Sequence, residues 1–126
     1  MFSWAHLRDI LNQQVLSAPF SLLAVVGVLA LRRKSVDWGD PALRFFAVAA
    51  AAYLALTLVW NPDYGGRRDW DLFTSASVPL TALAVYLLNR YLPPAERAKA
   101  AGMIAVVSLM HLAPWVWFNT QPWPWD

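Results

Sequence analysis

The sequence predicts an all-α membrane protein with about four transmembrane helices and a short N-terminal interfacial amphipathic helix. Of its 126 residues, 59% are hydrophobic, and the mean hydropathy of +0.40 exceeds that expected of a soluble domain. Four apolar runs each approach the roughly 20 residues that cross about 30 Å of hydrocarbon. Such runs fold as helices, because lipid offers no partner to a free backbone N–H.

Residues 1–14 predict an amphipathic helix that lies in the membrane interface and leads into the first span. Apolar side chains recur there at helical spacing, and polar side chains fill the opposite face. A soluble cap that packs on a neighbouring protein is the alternative interpretation of this pattern. The apolar members are Phe2, Trp4, Leu7, Ile10 and Leu11, and the polar members are Arg8, Asp9, Asn12 and Gln13.

A four-helix transmembrane domain is predicted over residues 15–120, followed by a Trp- and Pro-rich outer tail over 121–126. The first span is not a cleaved signal peptide, because the basic run Arg32–Lys34 follows it in place of a small-residue cleavage site. Pro19 and Pro79 are expected to kink their helices. The four spans are expected at about 15–31, 42–60, 72–92 and 102–118.

The basic residues predict which side of the membrane each connection faces. Seven Lys and Arg residues flank the first and third connections, against three on the opposite side. By the positive-inside rule, the first and third connections lie in the cytoplasm. The amino terminus, the 61–71 loop and the carboxyl terminus are then periplasmic, in a bacterial inner membrane. The seven are Arg32, Arg33, Lys34, Arg44, Arg90, Arg97 and Lys99, and the three are Arg8, Arg67 and Arg68.

The eight tryptophans are divided unevenly between the two sides. Only Trp38 falls on the inner side. Trp favours the headgroup level, where its ring is buried and its N–H stays wet. Membrane anchoring explains about half of the outer set, and contact with a partner protein, a pigment or a lipid-linked ligand is expected for the rest. The outer set is Trp4, Trp60, Trp70, Trp115, Trp117, Trp123 and Trp125.

The polar segment 61–73 interrupts the apolar chain and carries most of the functional information. Pro62 ends the second span, because a proline disfavours helix in the residue before it. Gly65 and Gly66 allow a tight reversal of the backbone. A carboxylate that follows can cap the third helix and pair with a neighbouring arginine. This segment is therefore explained as a capped, ion-paired turn that starts a helix.

The same segment is also a candidate binding or catalytic site. Two carboxylates at a spacing of two can hold a divalent metal, or one of them can act as a base. Two arginines can grip a phosphate bidentately, as in a polyprenyl phosphate sugar donor. No metal ligand set is assigned from this pair alone. The four charged residues are Arg67, Arg68, Asp69 and Asp71.

His111 lies within the fourth predicted span, and an ionisable residue at membrane depth is a functional candidate by default. It can donate a helix–helix hydrogen bond, reaching Ser75, Ser77 or the loop at 69–71. It can also ligate a metal, including the magnesium of a bacteriochlorophyll, because neutral imidazole is a good axial ligand. The sequence leaves both roles open.

Composition also excludes several classes of function. The chain has no cysteine, so it carries no disulfide, thiolate metal site or thiol nucleophile. Its net charge is only +2, and no basic stripe interleaved with aromatic residues is present. We therefore expect no nucleic-acid partner.

At residues 61–73 the sequence resembles the C-terminal membrane region of large polytopic proteins related to GT-C type glycosyltransferases. Those proteins carry a G-x-x-R-D-W-D-L-F stretch between two late spans, followed by a helix with a histidine and an ending that contains Trp and Asn. The resemblance covers about residues 40–120. The matching residues are Gly65, Arg68, Asp69, Trp70, Asp71, Leu72 and Phe73, and then His111, Pro114, Trp115 and Asn119.

What this resemblance implies is a short remnant of such a protein. GT-C enzymes have many more spans, and their catalytic acidic residue lies in an early outer loop that this chain lacks. Four spans are also too few to build the cavity that holds a lipid-linked donor. The activity of the family is therefore not carried over.

We expect a non-catalytic accessory subunit of a larger membrane complex, with a photosynthetic reaction centre–light-harvesting or a respiratory assembly as the specific case. Its partners would be membrane lipids and other membrane-protein subunits. One alternative is a minimal member of the GT-C-like lipid-linked sugar transferases. Another is a subunit that contacts a pigment or quinone through His111 and nearby Trp. No cofactor is required, although bacteriochlorophyll, quinone or bound lipid would suit these sites.

Overall fold

A computed structural model describes residues 4–59 and 74–121, and all regular structure in these ranges is helical. The predicted all-α class is therefore confirmed. Five helices can be followed within the described ranges. They are α1 (Trp4–Ser17), α2 (Ser21–Leu31), α3 (Pro41–Val59), α4 (Ser77–Tyr91) and α5 (Pro94–Asn119).

The first apolar run does not form one straight helix. Helix α1 continues past the predicted boundary at residue 14 and ends at Ser17, and α2 starts at Ser21. The break falls at Pro19, because proline has no N–H and disfavours helix at the residue before it. The two helices meet at an angle of 96°. Because α2 has 11 residues, it rises only about 16 Å, roughly half of a hydrocarbon layer.

The turn between α2 and α3 is fixed by its own aspartates. Oδ1 of Asp37 accepts the N–H of Gly39 at 2.8 Å. Oδ1 of Asp40 accepts the N–H of Ala42 at 2.9 Å, so Asp40 caps the start of α3. Pro41 follows at the first helical position, where its missing N–H costs no hydrogen bond.

Helix α4 packs against both α2 and α3 and supplies the centre of the core. Its inward residues are almost completely buried, and a hydrogen bond of 2.8 Å between the hydroxyls of Ser21 and Thr81 joins α2 to α4. Helix α4 ends where Leu92 becomes extended ahead of the Pro93–Pro94 pair. The core cluster consists of Val25, Val28, Val36, Leu43, Ala50, Leu80, Leu83, Ala84 and Leu87.

Helix α5 is the longest and the most exposed of the described helices. It starts at Pro94, eight residues before the predicted span, and runs through Pro114. None of its apolar stretch Pro94–Trp117 is buried inside the chain, against 17% of α3. The helix therefore lies at the side of the α2–α3–α4 core rather than within it.

Within the described ranges two helices, α3 and α5, are long and apolar enough to cross a membrane, and the bent pair α1–α2 makes a third if it forms one span. Helix α4 has 15 described residues, and the predicted span that contains it begins at 72, outside the described ranges. The count of four spans and the interfacial position of α1 therefore stay predictions.

Candidate functional site

Most residues of the predicted outer site lie outside the described ranges. They include the four charged residues of the motif loop and four of the seven outer tryptophans. Described are His111 and the remaining three tryptophans. Outside the described ranges are Arg67, Arg68, Asp69, Asp71, Trp60, Trp70, Trp123 and Trp125.

His111 joins α5 to the end of α1. Its Nε2 lies 3.1 Å from the carbonyl oxygen of Leu16. A carbonyl only accepts, so the bond requires the tautomer with hydrogen on Nε2. Leu16 is in the last turn of α1, where carbonyl groups lose their intrahelical partners. His111 thus satisfies a backbone group that the break near Pro19 exposes, and its Nδ1 lone pair remains for a ligand.

Two faces of α5 differ in what they meet. The face toward the bundle carries Arg97, Ala100, Ile104 and His111, which are partly buried and repeat at spacings of three, four and seven. The opposite face is exposed along its whole length. We call it the outward α5 face, and it consists of Val106, Met110, Ala113 and Trp117.

The three described tryptophans of the outer set occupy different surroundings. Trp117 lies on the outward α5 face and is 70% exposed, whereas Trp115 is 43% exposed. Trp4, near the start of α1, is 79% exposed. Ile10 and Gln14 of that helix are buried one turn apart, so α1 turns this face toward the bundle. Trp4 and Trp117 thus present free aromatic surface.

A second polar cluster, which the sequence did not single out, lies at the opposite end of the bundle. The hydroxyl of Tyr86 donates to Oδ2 of Asp40. The backbone N–H of Asp37 donates to the hydroxyl of Tyr91 at 3.1 Å. Two tyrosines of α4 therefore hold the turn that precedes α3. The Tyr86 hydrogen bond also holds the pKa of the Asp40 carboxyl below its usual value of 3.8.

An ion pair attaches helix α5 to the same end of the bundle. Nη2 of Arg32, at the end of α2, lies 2.8 Å from Oε2 and 3.1 Å from Oε1 of Glu96. Both side chains are partly exposed, at 38% and 50%. The pair joins the beginning of α5 to the end of α2, at the opposite end of α5 from the His111 contact.

One member of this cluster, Asp40, could be predicted from the sequence. An Asp followed by Pro just before an apolar run is typical of a helix start, which marks Asp40. Nothing local indicated that Tyr86 and Tyr91 would meet that turn, because they lie 46 and 54 residues from their partners. The pairing of Arg32 with Glu96 spans 64 residues, so the local sequence did not predict it either.

A groove separates α5 from α2, and we call it the α2–α5 groove. Its two adjoining parts have volumes of about 640 and 260 Å³. Both parts share Leu23 and Ala24 of α2, Ala100 and Met103 of α5, and Leu88 of α4. Arg32 and Glu96 line one end of the larger part. Gly27 lines its wall, and a Cβ there would meet nothing within 4 Å.

These sites limit the chemistry that can be assigned. Within residues 4–59 and 74–121, no three His, Asp or Glu side chains gather into a group that could hold a metal ion. His111 has one ring nitrogen, Nε2, engaged with the Leu16 carbonyl. The polar cluster around Asp40 has its groups engaged in fixing helices, and the α2–α5 groove offers apolar walls with a charged end.

No protein-family model matches this chain, and comparisons with curated proteins and with solved structures found no match either.

Proposed function

We propose that this chain is a non-catalytic accessory subunit that packs in or beside a larger bacterial membrane complex. The observation that carries the proposal is the outward α5 face. Met110 and Trp117 on it are 71% and 70% exposed, and Val106 is 56% exposed. Their spacing of four and seven keeps them in one line along the helix. A line of this kind suits contact with a helix of another subunit.

The attachment of α5 supports the same proposal. The helix is tied to the bundle near its beginning by Glu96 and near its end by His111, with open groove between these contacts. Helices in lipid associate through close van der Waals packing, which α5 makes only in part with the other described helices. A neighbouring subunit would complete that packing on the side that the bundle leaves uncovered.

Met and Trp are suitable residues for such a contact. Methionine adapts its unbranched, polarizable side chain to an irregular surface, as Met110 can here. Tryptophan is enriched among the residues that dominate interface energies. The outer tryptophans beyond the described ranges, Trp60, Trp70, Trp123 and Trp125, are proposed as further contacts with the partner or with lipid.

The proposed setting is a bacterial inner membrane with four spans. The amino terminus, the 61–71 loop and the carboxyl terminus face the periplasm, as the distribution of Lys and Arg favours. The Asp40–Tyr86 cluster and the Arg32–Glu96 pair then lie on the cytoplasmic side. A photosynthetic reaction centre–light-harvesting assembly or a respiratory complex is the proposed partner.

The direct test is to extract a tagged chain from its native membrane in mild detergent. The particle is then sized, its proteins are identified by mass spectrometry, and its absorbance is recorded. The proposal expects a large particle of reproducible composition. A chain that runs as a free monomer under these conditions would overturn it.

A matched pair of substitutions locates the contact. Trp117→Ala removes a side chain of the outward α5 face, and Trp38→Ala removes a 54% exposed tryptophan from the opposite end of the bundle. Loss of a central interface tryptophan lowers affinity by roughly 30-fold or more. We expect the Trp117 variant to leave the complex and the Trp38 variant to remain in it. Equal retention of both variants would contradict the role of this face.

A further inference from the structure

The α2–α5 groove has the length of one membrane leaflet. It runs from Pro19 and Val107 at one end to Arg32 and Glu96 at the other. Helix α2, which forms one wall, has 11 residues and rises about 16 Å. Half of a 30 Å hydrocarbon layer is about 15 Å. The groove therefore accommodates the depth of the acyl chains in a single leaflet.

The walls of the groove are smooth and apolar. Ala24, Gly27 and Ala100 leave space between the two helices, and Leu23 and Met103 border that space. Leu23 and Met103 are also 74% and 70% exposed, so the groove opens sideways toward the surrounding lipid. A chain of methylene groups can enter from the membrane without unfolding either helix.

The end of the bundle at which the groove meets Arg32 and Glu96 is basic. Among described residues 31–44 and 90–99 at this end, seven Lys and Arg side chains stand against three acidic side chains, Asp37, Asp40 and Glu96. Both hydrogen bonds from Arg32 to Glu96 leave from Nη2, so a second anion has Nε and Nη1 to bind. Arg33 and Lys34 follow in an exposed turn. The seven basic residues are Arg32, Arg33, Lys34, Arg44, Arg90, Arg97 and Lys99.

We infer that the α2–α5 groove binds an anionic phospholipid from the leaflet beside it. One acyl chain lies between Gly27 and Met103, and the phosphate lies against the basic end at residues 32–34. Basic pockets between transmembrane helices on the cytoplasmic side are suited to anionic headgroups. The positive-inside orientation would place this end on that side. The inference does not depend on the accessory-subunit proposal, because the groove lies on the face of α5 turned toward the bundle.

Native mass spectrometry of the purified full chain tests this inference. The chain is titrated with dioleoyl phosphatidylglycerol and, separately, with dioleoyl phosphatidylcholine, which has the same acyl chains and no net charge. We expect one phosphatidylglycerol per chain, bound several-fold more tightly than phosphatidylcholine. Replacing Arg33 by Gln should weaken phosphatidylglycerol binding roughly fivefold and leave phosphatidylcholine binding unchanged.

A groove-filling variant and its control separate this site from ordinary annular lipid. Gly27→Leu places a side chain in the open space of the groove, whereas Ala30→Leu adds similar volume at an exposed position of the same helix that does not line the groove. The Gly27 variant should lose the bound phosphatidylglycerol, and the Ala30 variant should keep it. Ala100→Leu, on the facing wall, provides a second variant, and circular dichroism confirms that each variant is folded.

Three outcomes would overturn the inference. Equal affinity for phosphatidylglycerol and phosphatidylcholine would show that the basic end does not take part in lipid binding. Identical lipid binding by folded Gly27→Leu and Ala30→Leu chains would place the lipid elsewhere. A quinone or a second copy of the chain that resists displacement by phosphatidylglycerol would identify a different occupant.

Discussion

Tyr86 of α4 donates its hydroxyl hydrogen to Oδ2 of Asp40, the residue that caps the first turn of α3 through its other carboxylate oxygen. One carboxylate thus fixes both the start of a helix and the position of that helix against the centre of the bundle. The ring of Tyr86 also contacts Phe46 of α3, with centroids 5.6 Å apart. Asp40 and Tyr86 therefore connect the polar end of the bundle to its apolar core.

Tyr86→Phe removes this hydrogen bond and keeps the ring contact with Phe46. We expect the thermal unfolding midpoint in detergent to fall by a few degrees, because a charge-assisted bond is lost. Tyr53→Phe is the control, since Tyr53 lies 44% exposed on α3. Circular dichroism melts of the two variants make the comparison, and equal midpoints would show that the bond contributes nothing measurable.

The Asp40 carboxylate also predicts a pH dependence of stability. Its pKa is lowered in the folded chain, chiefly by the Tyr86 hydroxyl. A lowered folded-state pKa stabilises the fold at pH values above 3.8, the usual value of the carboxyl. That contribution is lost as the pH falls through the folded-state pKa. The difference in melting midpoint between wild type and Tyr86→Phe should be constant from pH 5 to pH 7 and shrink below pH 4. A difference that grows on acidification would contradict this assignment.

Glu96→Gln separates the contribution of the Arg32–Glu96 pair to stability from its effect on lipid binding. Both side chains are partly exposed, and exposed ion pairs contribute about 0–1 kcal/mol. We expect little change in the unfolding midpoint. Phosphatidylglycerol binding should strengthen several-fold, because the substitution removes the acidic side chain that competes for Arg32. Glu96→Asp keeps the charge and serves as the control, and weaker lipid binding by Glu96→Gln would contradict the assignment of the basic end.

The motif loop provides a test of the non-catalytic proposal. On that proposal, Asp69→Asn and Asp71→Asn leave sugar transfer from a polyprenyl phosphate donor unchanged in membranes that contain the chain. Transfer of a radiolabelled sugar, measured at matched expression of wild type and variants, checks this expectation. Loss of transfer in either variant would favour the GT-C-like alternative, where these carboxylates would meet a metal or a phosphate.

The helical class was predictable because apolar runs of membrane length leave the backbone few alternatives. The break between α1 and α2 was only partly predictable. Pro19 indicated a kink, but a proline alone does not distinguish a bent span from a turn of 96°. The start of α5 at Pro94 was missed because Glu96, Arg97 and Lys99 made the first turns too polar for a span. Those turns are helical all the same and extend the helix toward Arg32.

The polar contacts were harder to predict than the helices. Each of the pairs Asp40–Tyr86, Arg32–Glu96 and Leu16–His111 joins residues far apart in the chain. Periodicity determines which face of a helix is apolar, but it does not determine which helices become neighbours. His111 shows this limit clearly. Its residue type and its depth in a predicted span made it a functional candidate, but its partner is a backbone carbonyl, which every residue carries and which no sequence pattern identifies.

His111 is expected to hold the end of α1 against α5, because its Nε2–H satisfies the Leu16 carbonyl. His111→Leu removes that donor, and the net loss of one hydrogen bond costs about 0.5–1.5 kcal/mol. Hydrogen exchange of the last turn of α1 should therefore accelerate roughly two- to tenfold. His111→Gln can still donate through its amide and should restore part of the protection. The absorbance of the native particle tests pigment ligation separately, since a chlorin held by Nδ1 would be lost in both variants. Unchanged exchange in His111→Leu would show that the hydrogen bond does not secure α1.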